Sequence, residues 1–347
     1  MKAITLLLIA VIIYSCNSNP LVPELVKDPK QYIWSIDTIH FNDQTMLQSI
    51  LGSIWGSSEK DVYIVGHGDA GNPIVHYDGQ NWKDLDKVSI GLRYSFDPLW
   101  IHGFGNNDVW VAGSSSRIIN ELNYRYATVY NFNGGNWVLN EIPIEIELSY
   151  LWGKNPNDIW ACGSNGVVAH YNGSEWKVDT IKIVEGTTGN FWIRSIIEYN
   201  NIMYATGFKN PRNYLFQKVN NVWAQNDSFV DGELSKWGDS RFFITSDNKL
   251  WSYGYGGVWE MQNNSWVKII TTELSTSGIS EYAKGKFIIT DFNGKVYLYS
   301  NGVLELLKDF GQNPHLYNIW ANNKECFILA NKLGSGINSK TLIYHGK

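Results

Sequence analysis

A module of about 44 residues recurs from Trp55 to the C-terminus, and a fixed period of that length restricts the chain to a repeat architecture. The clearest copy reads Ile54-Trp55-Gly56, then Asp61-Val62-Tyr63-Ile64-Val65-Gly66, then His76-Tyr77-Asp78-Gly79-Gln80-Asn81-Trp82. The same order returns at Leu151-Trp152-Gly153, Asp158-Ile159-Trp160-Ala161-Cys162-Gly163 and His170-Tyr171-Asn172-Gly173-Ser174-Glu175-Trp176. With the Trp-Gly position as anchor, the copies start at Trp55, His102, Trp152, Ile196, Trp237, Ile279 and Trp320. Each copy holds four short runs rich in Val, Ile, Tyr, Phe and Trp, bounded by Gly, Asn or Asp, which predicts four strands. Asp-Gly and Asn-Gly after the third run suit the positive φ angles of two-residue hairpins.

Four strands per repeat at this period predict an all-β fold, a seven-bladed β-propeller of four-stranded antiparallel blades. The last copy, from Asn318-Ile319-Trp320 to Thr341–Gly346, supplies only three strands. An orphan run at 32–37 precedes the first copy, so the ring is expected to close by pairing this segment with residues 341–346. Closure would remove two exposed edges. Residues 31–347 then form one domain.

Upstream, Lys2 and the apolar run Ile4–Tyr14 are too short to span a bilayer and read as a processing segment. Ile13-Tyr14-Ser15-Cys16 resembles a bacterial lipobox, with 1–15 as signal peptide and Cys16 as the diacylated first residue of the mature protein. Residues 16–30, with Pro20, Pro23 and Pro29, read as a tether. The expected location is therefore the cell envelope, lipid-anchored, with the outer membrane favoured and the facing direction open. The lipid would be the sole contact with the membrane. A net charge of −5 gives no basic footprint, so no nucleic-acid partner is expected. Cys162 and Cys326 fall in distant blades and are expected as buried free thiols.

The repeat accounts for most of the sixteen tryptophans. Trp34, Trp82, Trp137, Trp176, Trp223 and Trp266 hold the fourth-strand position, Trp55, Trp152, Trp237 and Trp320 the anchor, and Trp110 and Trp160 the second strand. All twelve are expected to pack between blades. Asp61, Asp108 and Asp158 recur before the second strand and are expected to bond backbone amides in the preceding turn. The seven histidines lack metal-ligand spacing, and no catalytic motif or cofactor signature is present, so no metal and no cofactor are expected.

Loop lengths carry the functional signal. Loops from strand two to three, and from strand four to the next blade, share one face of a propeller. The long segments 67–73, 83–99, 114–128, 177–193, 208–213 and 330–340 all belong to that set, and the opposite set is short. Insertions concentrated on one face mark a binding face. Of six arginines, Arg93, Arg117, Arg125 and Arg212 lie in these segments, with Arg194 at the edge of one and only Arg241 elsewhere. Tyr94, Phe96, Tyr124, Tyr126 and Trp192 accompany them. Arginines beside aromatics suit protein hot spots and acidic or sugar ligands. These ten residues form the candidate binding site, expected off the ring axis, on blades one to four.

The motif Trp-Gly-x-x-x-x-Asp-Val-Trp followed by His-Tyr-Asn-Gly-x-x-Trp resembles BNR-like and photosystem-assembly-factor-like propellers, and most closely the lipoprotein members carried by Bacteroidota. The resemblance covers about residues 31–347. It implies the propeller fold and an envelope lipoprotein. Members of the group are often labelled glucosyltransferases, but this sequence carries no nucleotide-sugar site. The expected function is a non-catalytic binding or scaffold module for a protein or glycan partner. A carbohydrate-active enzyme, glycosidase- or lyase-like, and a structural spacer are the alternatives. An enzyme would need a carboxylate pair near the arginines, and Asp97, Glu121 and Glu185 are the loop candidates. Against sialidases, the chain lacks Ser-x-Asp-x-Gly-x-x-Trp boxes and has seven repeats where they have six.

Overall fold

In the computed structural model, residues 25–39, 49–68, 74–184, 190–230, 233, 235–332 and 340–347 are described. Residues 1–15, read as a signal peptide, together with Cys16 and Glu185, lie outside these residues. The strands are β1 (Trp34–Thr38); β2 (Ser49–Ser58), β3 (Asp61–Gly68), β4 (Ile74–Tyr77) and β5 (Trp82–Asp84); β6 (Phe96–Gly105), β7 (Asp108–Ile119), β8 (Leu122–Phe132) and β9 (Trp137–Glu141); β10 (Leu148–Asn155), β11 (Asp158–Gly163), β12 (Val167–Tyr171) and β13 (Trp176–Thr180). They continue as β14 (Trp192–Tyr199), β15 (Ile202–Lys209), β16 (Arg212–Val219) and β17 (Val222–Val230); β18 (Arg241–Ile244), β19 (Leu250–Gly254), β20 (Gly257–Gln262) and β21 (Ser265–Ile270); β22 (Thr276–Ala283), β23 (Lys286–Asp291), β24 (Lys295–Ser300) and β25 (Val303–Asp309); and β26 (His315–Ala321), β27 (Cys326–Lys332) and β28 (Lys340–Gly346). They form seven four-stranded antiparallel sheets. The seventh runs β26-β27-β28-β1, with Trp34 opposite Gly346 and Thr38 opposite Leu342. The expected closure of the ring by the N-terminal strand is therefore observed.

The core is a set of seven apolar layers, one at each junction between neighbouring blades. Second strands show why. Val62 and Ile64 of β3 pack towards blade seven, whereas Tyr63 and Val65 pack towards blade two. A sheet covered on both faces needs a near-continuous apolar run instead of alternation. All twelve repeat tryptophans lie in these layers, as expected. The Trp-Gly pair has a steric basis. A Cβ on Gly103 would meet the Trp55 indole at 2.5 Å, and one on Gly56 would meet Trp320 at 3.0 Å. The Trp55 and Trp320 indoles thus each lie on a glycine of the next blade. His102, the anchor of blade two, instead bonds the backbone of Gly153.

Three expectations need correction. In blade five the first strand is β18, and Phe243, opposite Trp251, takes the register place that Trp55 has opposite Tyr63. Trp237-Gly238 is a look-alike in the preceding loop, with Trp237 buried between blades four and five. The recurrent acids do not bond turn amides. Asp61 accepts from His76 Nε2 at 2.8 Å and Ser57 Oγ at 2.5 Å, and Asp158 pairs with His170 Nε2 at 2.8 Å. Those histidines stack on the aromatics opposite them, His76 on Tyr63 and His170 on Trp160, at 4.2 and 4.1 Å. In blade seven Glu325, His345 and Phe327 repeat the arrangement. Burial pushes the Asp61 carboxyl up, but the bonds from His76 and Ser57 outweigh it and hold it below the ordinary value. Finally, Asp78, Asn133 and Asn172 open four-residue loops and accept from amides two and three residues on. The two-residue turns use Asn200-Asn201, Asn220-Asn221, Asn263-Asn264 and Asn301-Gly302, all at positive φ.

The segment read as tether joins the ring earlier than residue 31. Lys27 N donates to Asn323 O at 2.8 Å, Pro29 is buried, and Asp28 caps a short 3-10 turn over Pro29–Gln31. Both contacts lie on the short-turn face. Cys162 and Cys326 are buried free thiols in separate layers, as expected, and burial raises both pKa values.

Candidate functional site

Segment 114–128 is a hairpin, not a loop. β7 and β8 continue beyond their blade and meet at Asn120-Glu121, both at positive φ, which matches a primed two-residue turn. Ile118, Ile119 and Leu122 at the tip are 79%, 44% and 60% exposed. Alternation puts Arg117, opposite Tyr124, on one face with Tyr126. There Arg117 and Arg93 both pair with Glu141 of β9; Arg93 uses two nitrogens, each 3.3 Å from an oxygen. The Arg117 guanidinium also lies 4.9 Å from the Tyr126 ring centroid. On the other face Arg125 pairs with Glu147 at the start of blade three, and reaches Asp97 at 3.7 Å. Asp97 also pairs with His67 Nδ1 of blade one at 2.8 Å. Ion pairs from both faces therefore brace the hairpin stem against its own blade and the start of blade three, and Asp97 links this network to His67 of blade one.

Of the ten candidate residues, five meet here: Arg93, Arg117, Tyr124, Arg125 and Tyr126. Tyr94 is nearby and 72% exposed, with Lys87 Nζ 5.5 Å from its ring centroid. Burial pushes the Lys87 ammonium down against the opposing pull of Asp97 and Asp86. Phe96 does not join them. It is 1% exposed and packs edge-on against Tyr130, so it belongs to the core and offers no surface to a ligand. The loop residue placed there by sequence is in fact the first residue of β6, where alternation turns it inward. Among the loop carboxylates, Glu121 stands exposed at the tip, whereas Asp97 and Glu147 converge on Arg125.

The other three candidates lie on blade four. Trp192 opens β14 opposite Phe208 and bridges to Ser164. Arg212 follows the cis Asn210-Pro211 bond and donates to Ser228 Oγ at 3.2 Å. Arg194 covers the Phe208 ring at 4.1 Å and pairs with Asp239 at 3.5 Å. Arg194 looks towards the ring axis, where it lines a cleft of roughly 440 Å³ with Arg241, Tyr255, Thr276, Phe292 and Tyr317. These residues come from blades four to seven and stand at the long-loop ends of their strands. Arg241, the one arginine that loop position excluded, lies 4.2 Å over the ring of Trp100. Trp100 belongs to blade two, nearly opposite blade five, so this contact crosses the axial space. The signals missed were that Trp100 fills no repeat position and that Arg241 begins an inner strand.

No family model matches the chain, and no curated protein matches it. Solved structures do. A structure of YCF48 bound to D1 peptide aligns with a TM-score of 0.58 at 12% identity, covering 90% of this chain and 96% of that one. YCF48 from Cyanidioschyzon merolae gives 0.59 at 14% identity, covering 90% and 98%. The β-propeller domain of Cps50 (Swd1) from Myceliophteria thermophila gives 0.57 at 9% identity, covering 90% and 99%. At these identities the likeness is one of fold, and the chain is a seven-bladed β-propeller.

Proposed function

We propose that this protein is a non-catalytic binding module that holds a protein partner on its long-loop face, tethered to the cell envelope through a diacylated Cys16. The observation that carries the reading is the β7–β8 hairpin. Its stem is braced by ion pairs, while Ile118, Ile119 and Leu122 at its tip stay exposed. Exposed apolar groups on a rigid projection favour association, because little ordering entropy is lost on docking. A protein is favoured over a glycan because none of the sixteen tryptophans is exposed as a stacking platform. The enzyme reading is weaker. Glu147 pairs with Arg125, and Asp97 is shared between His67 and Arg125, so both carboxylates are held in ion pairs with the hairpin and its neighbour. That BNR-like lipoproteins of Bacteroidota share the motif supports the envelope location. The chain enters the ring from the short-turn face, at Lys27 and Ile33, so a lipid at Cys16 would leave the hairpin pointing away from the membrane.

The test is affinity capture from solubilised envelope with the ring as bait, beside an Ile118→Ser/Leu122→Ser variant. These side chains are exposed, so the ring should melt unchanged. A partner retained by the parent and lost by the variant supports the reading. The same partners on both, or none on either, would overturn the hairpin as the binding element and favour a spacer.

A further inference from the structure

We infer that the axial cleft is a binding pocket for a single carboxylate group, seated on Arg241 and Thr276. Arg241 and Thr276 both line the cleft, and each has one side-chain polar atom buried without a partner among the described residues: Arg241 Nη1 and Thr276 Oγ1. A polar atom buried without a partner disfavours the folded state, so two of them on residues that line one cleft point to an absent acceptor. The surroundings fix its character. Arg194 is paired with Asp239, whose other oxygen accepts from Tyr255 N at 2.8 Å. Among the described residues Arg241 makes no ion pair; its guanidinium rests on Trp100 and bonds the buried Tyr253. One uncompensated cation suits a monoanion better than a doubly charged phosphate. A guanidinium nitrogen and a hydroxyl together match the two oxygens of a carboxylate. The rim is aromatic, with Tyr255 64% exposed beside Phe292 and Tyr317, so an apolar neighbour of the carboxylate would be covered. The pocket uses none of the hairpin residues, and it stands or falls apart from the hairpin's role.

The small number of arginines makes the test direct. In a 15N-labelled protein the six Nε–Hε signals can be followed singly, and Arg241→Lys assigns the relevant one. The probes are acetate, succinate, the tripeptide Ac-Ala-Tyr-Ala with a free C-terminus, its C-terminal amide, and Ac-Ala-Glu-Ala-amide, with sodium chloride matching ionic strength. The expected result is a saturable shift of the Arg241 signal with the carboxylates and none with chloride or the uncharged amide. The two charged tripeptides then show whether a chain end or an acidic side chain is preferred. Thr276→Val removes the unpaired hydroxyl, so it should melt no lower than the parent yet bind about three- to tenfold more weakly, the worth of one hydrogen bond. An Arg241 signal that stays fixed, that moves linearly together with all the others, or that titrates identically in Thr276→Val overturns the pocket.

Discussion

His102 should make this ring acid-sensitive by an amount that can be worked out. It holds the anchor position of blade two, opposite Trp110, where blades one, three and seven carry tryptophan. Burial lowers its pKa from 6.5 to about 4, against the opposing effect of its bond to the Gly153 backbone. The folded ring therefore binds fewer protons than the unfolded chain between those values. Stability contributed by the neutral imidazole is complete above pH 6.5 and is lost as pH falls towards 4. Between pH 8 and 4.5 the linkage relation gives a loss of about 2.5 kcal/mol from this residue alone. Carboxylates also titrate near the lower end, so the readout is a difference. Urea unfolding of the parent and of His102→Trp at both pH values cancels every shared group. The parent should lose about 2.5 kcal/mol more than the variant. His102→Phe should behave like His102→Trp, which separates titration from the fit of a larger ring. Parallel pH profiles for all three proteins would refute the assignment.

Two further perturbations test the fold. Removing every residue before 40 strips β1 from β28 and takes away Tyr32, Trp34 and Ile39, which pack in the blade six–seven and seven–one layers. Burial of three large side chains is worth about 5–8 kcal/mol, a size comparable with the whole stability of a domain. The truncated chain should lose its cooperative melt; a melting curve like the parent's would show that closure does not hold the ring. Gly103→Ala drives a Cβ into the Trp55 indole and should cost about 1–3 kcal/mol, whereas Gly105→Ala, with nothing within 4 Å of the new Cβ, should cost far less. Equal effects by calorimetry would refute the steric account of the Trp-Gly pair.

What could be read from sequence was what repeats within one blade or between neighbours. The glycines after the anchors of blades one and two are legible because the Trp320 and Trp55 indoles lie on them, and β1 is recognisable because the last repeat lacks a strand. Blade five hides its anchor, because that contact is made by Phe243 without a following glycine while Trp237-Gly238 imitates the motif in a loop. The acid–histidine pairs were visible in principle: Asp61 and His76 co-recur with Asp158 and His170, and where Asn131 replaces histidine, Asp108 accepts from Asn131 and Trp110 instead.

The two features of the long-loop face differ in the same way. The hairpin is local in sequence, so its arginines and tyrosines could be gathered by position, although not their partner Glu141 on β9 or the braces at Asp97 and Glu147. The axial cleft is assembled from single residues of successive blades, and its Arg241–Trp100 contact joins residues 141 apart along the chain. No spacing rule links such positions, because each is set by where an inner strand ends at the axis. A closed ring brings those strand ends together whatever the sequence between them. An axial residue that departs from its repeat, as Trp100 and Arg241 both do, is therefore the signal to look for in a propeller. Trp100 packs on Tyr150 at 4.6 Å, but the blade layers do not include Arg241, and an Arg241 Nη1 buried without a partner among the described residues works against stability. A bound anion would offset that cost, and this is the physical basis of the carboxylate pocket inferred at the axis.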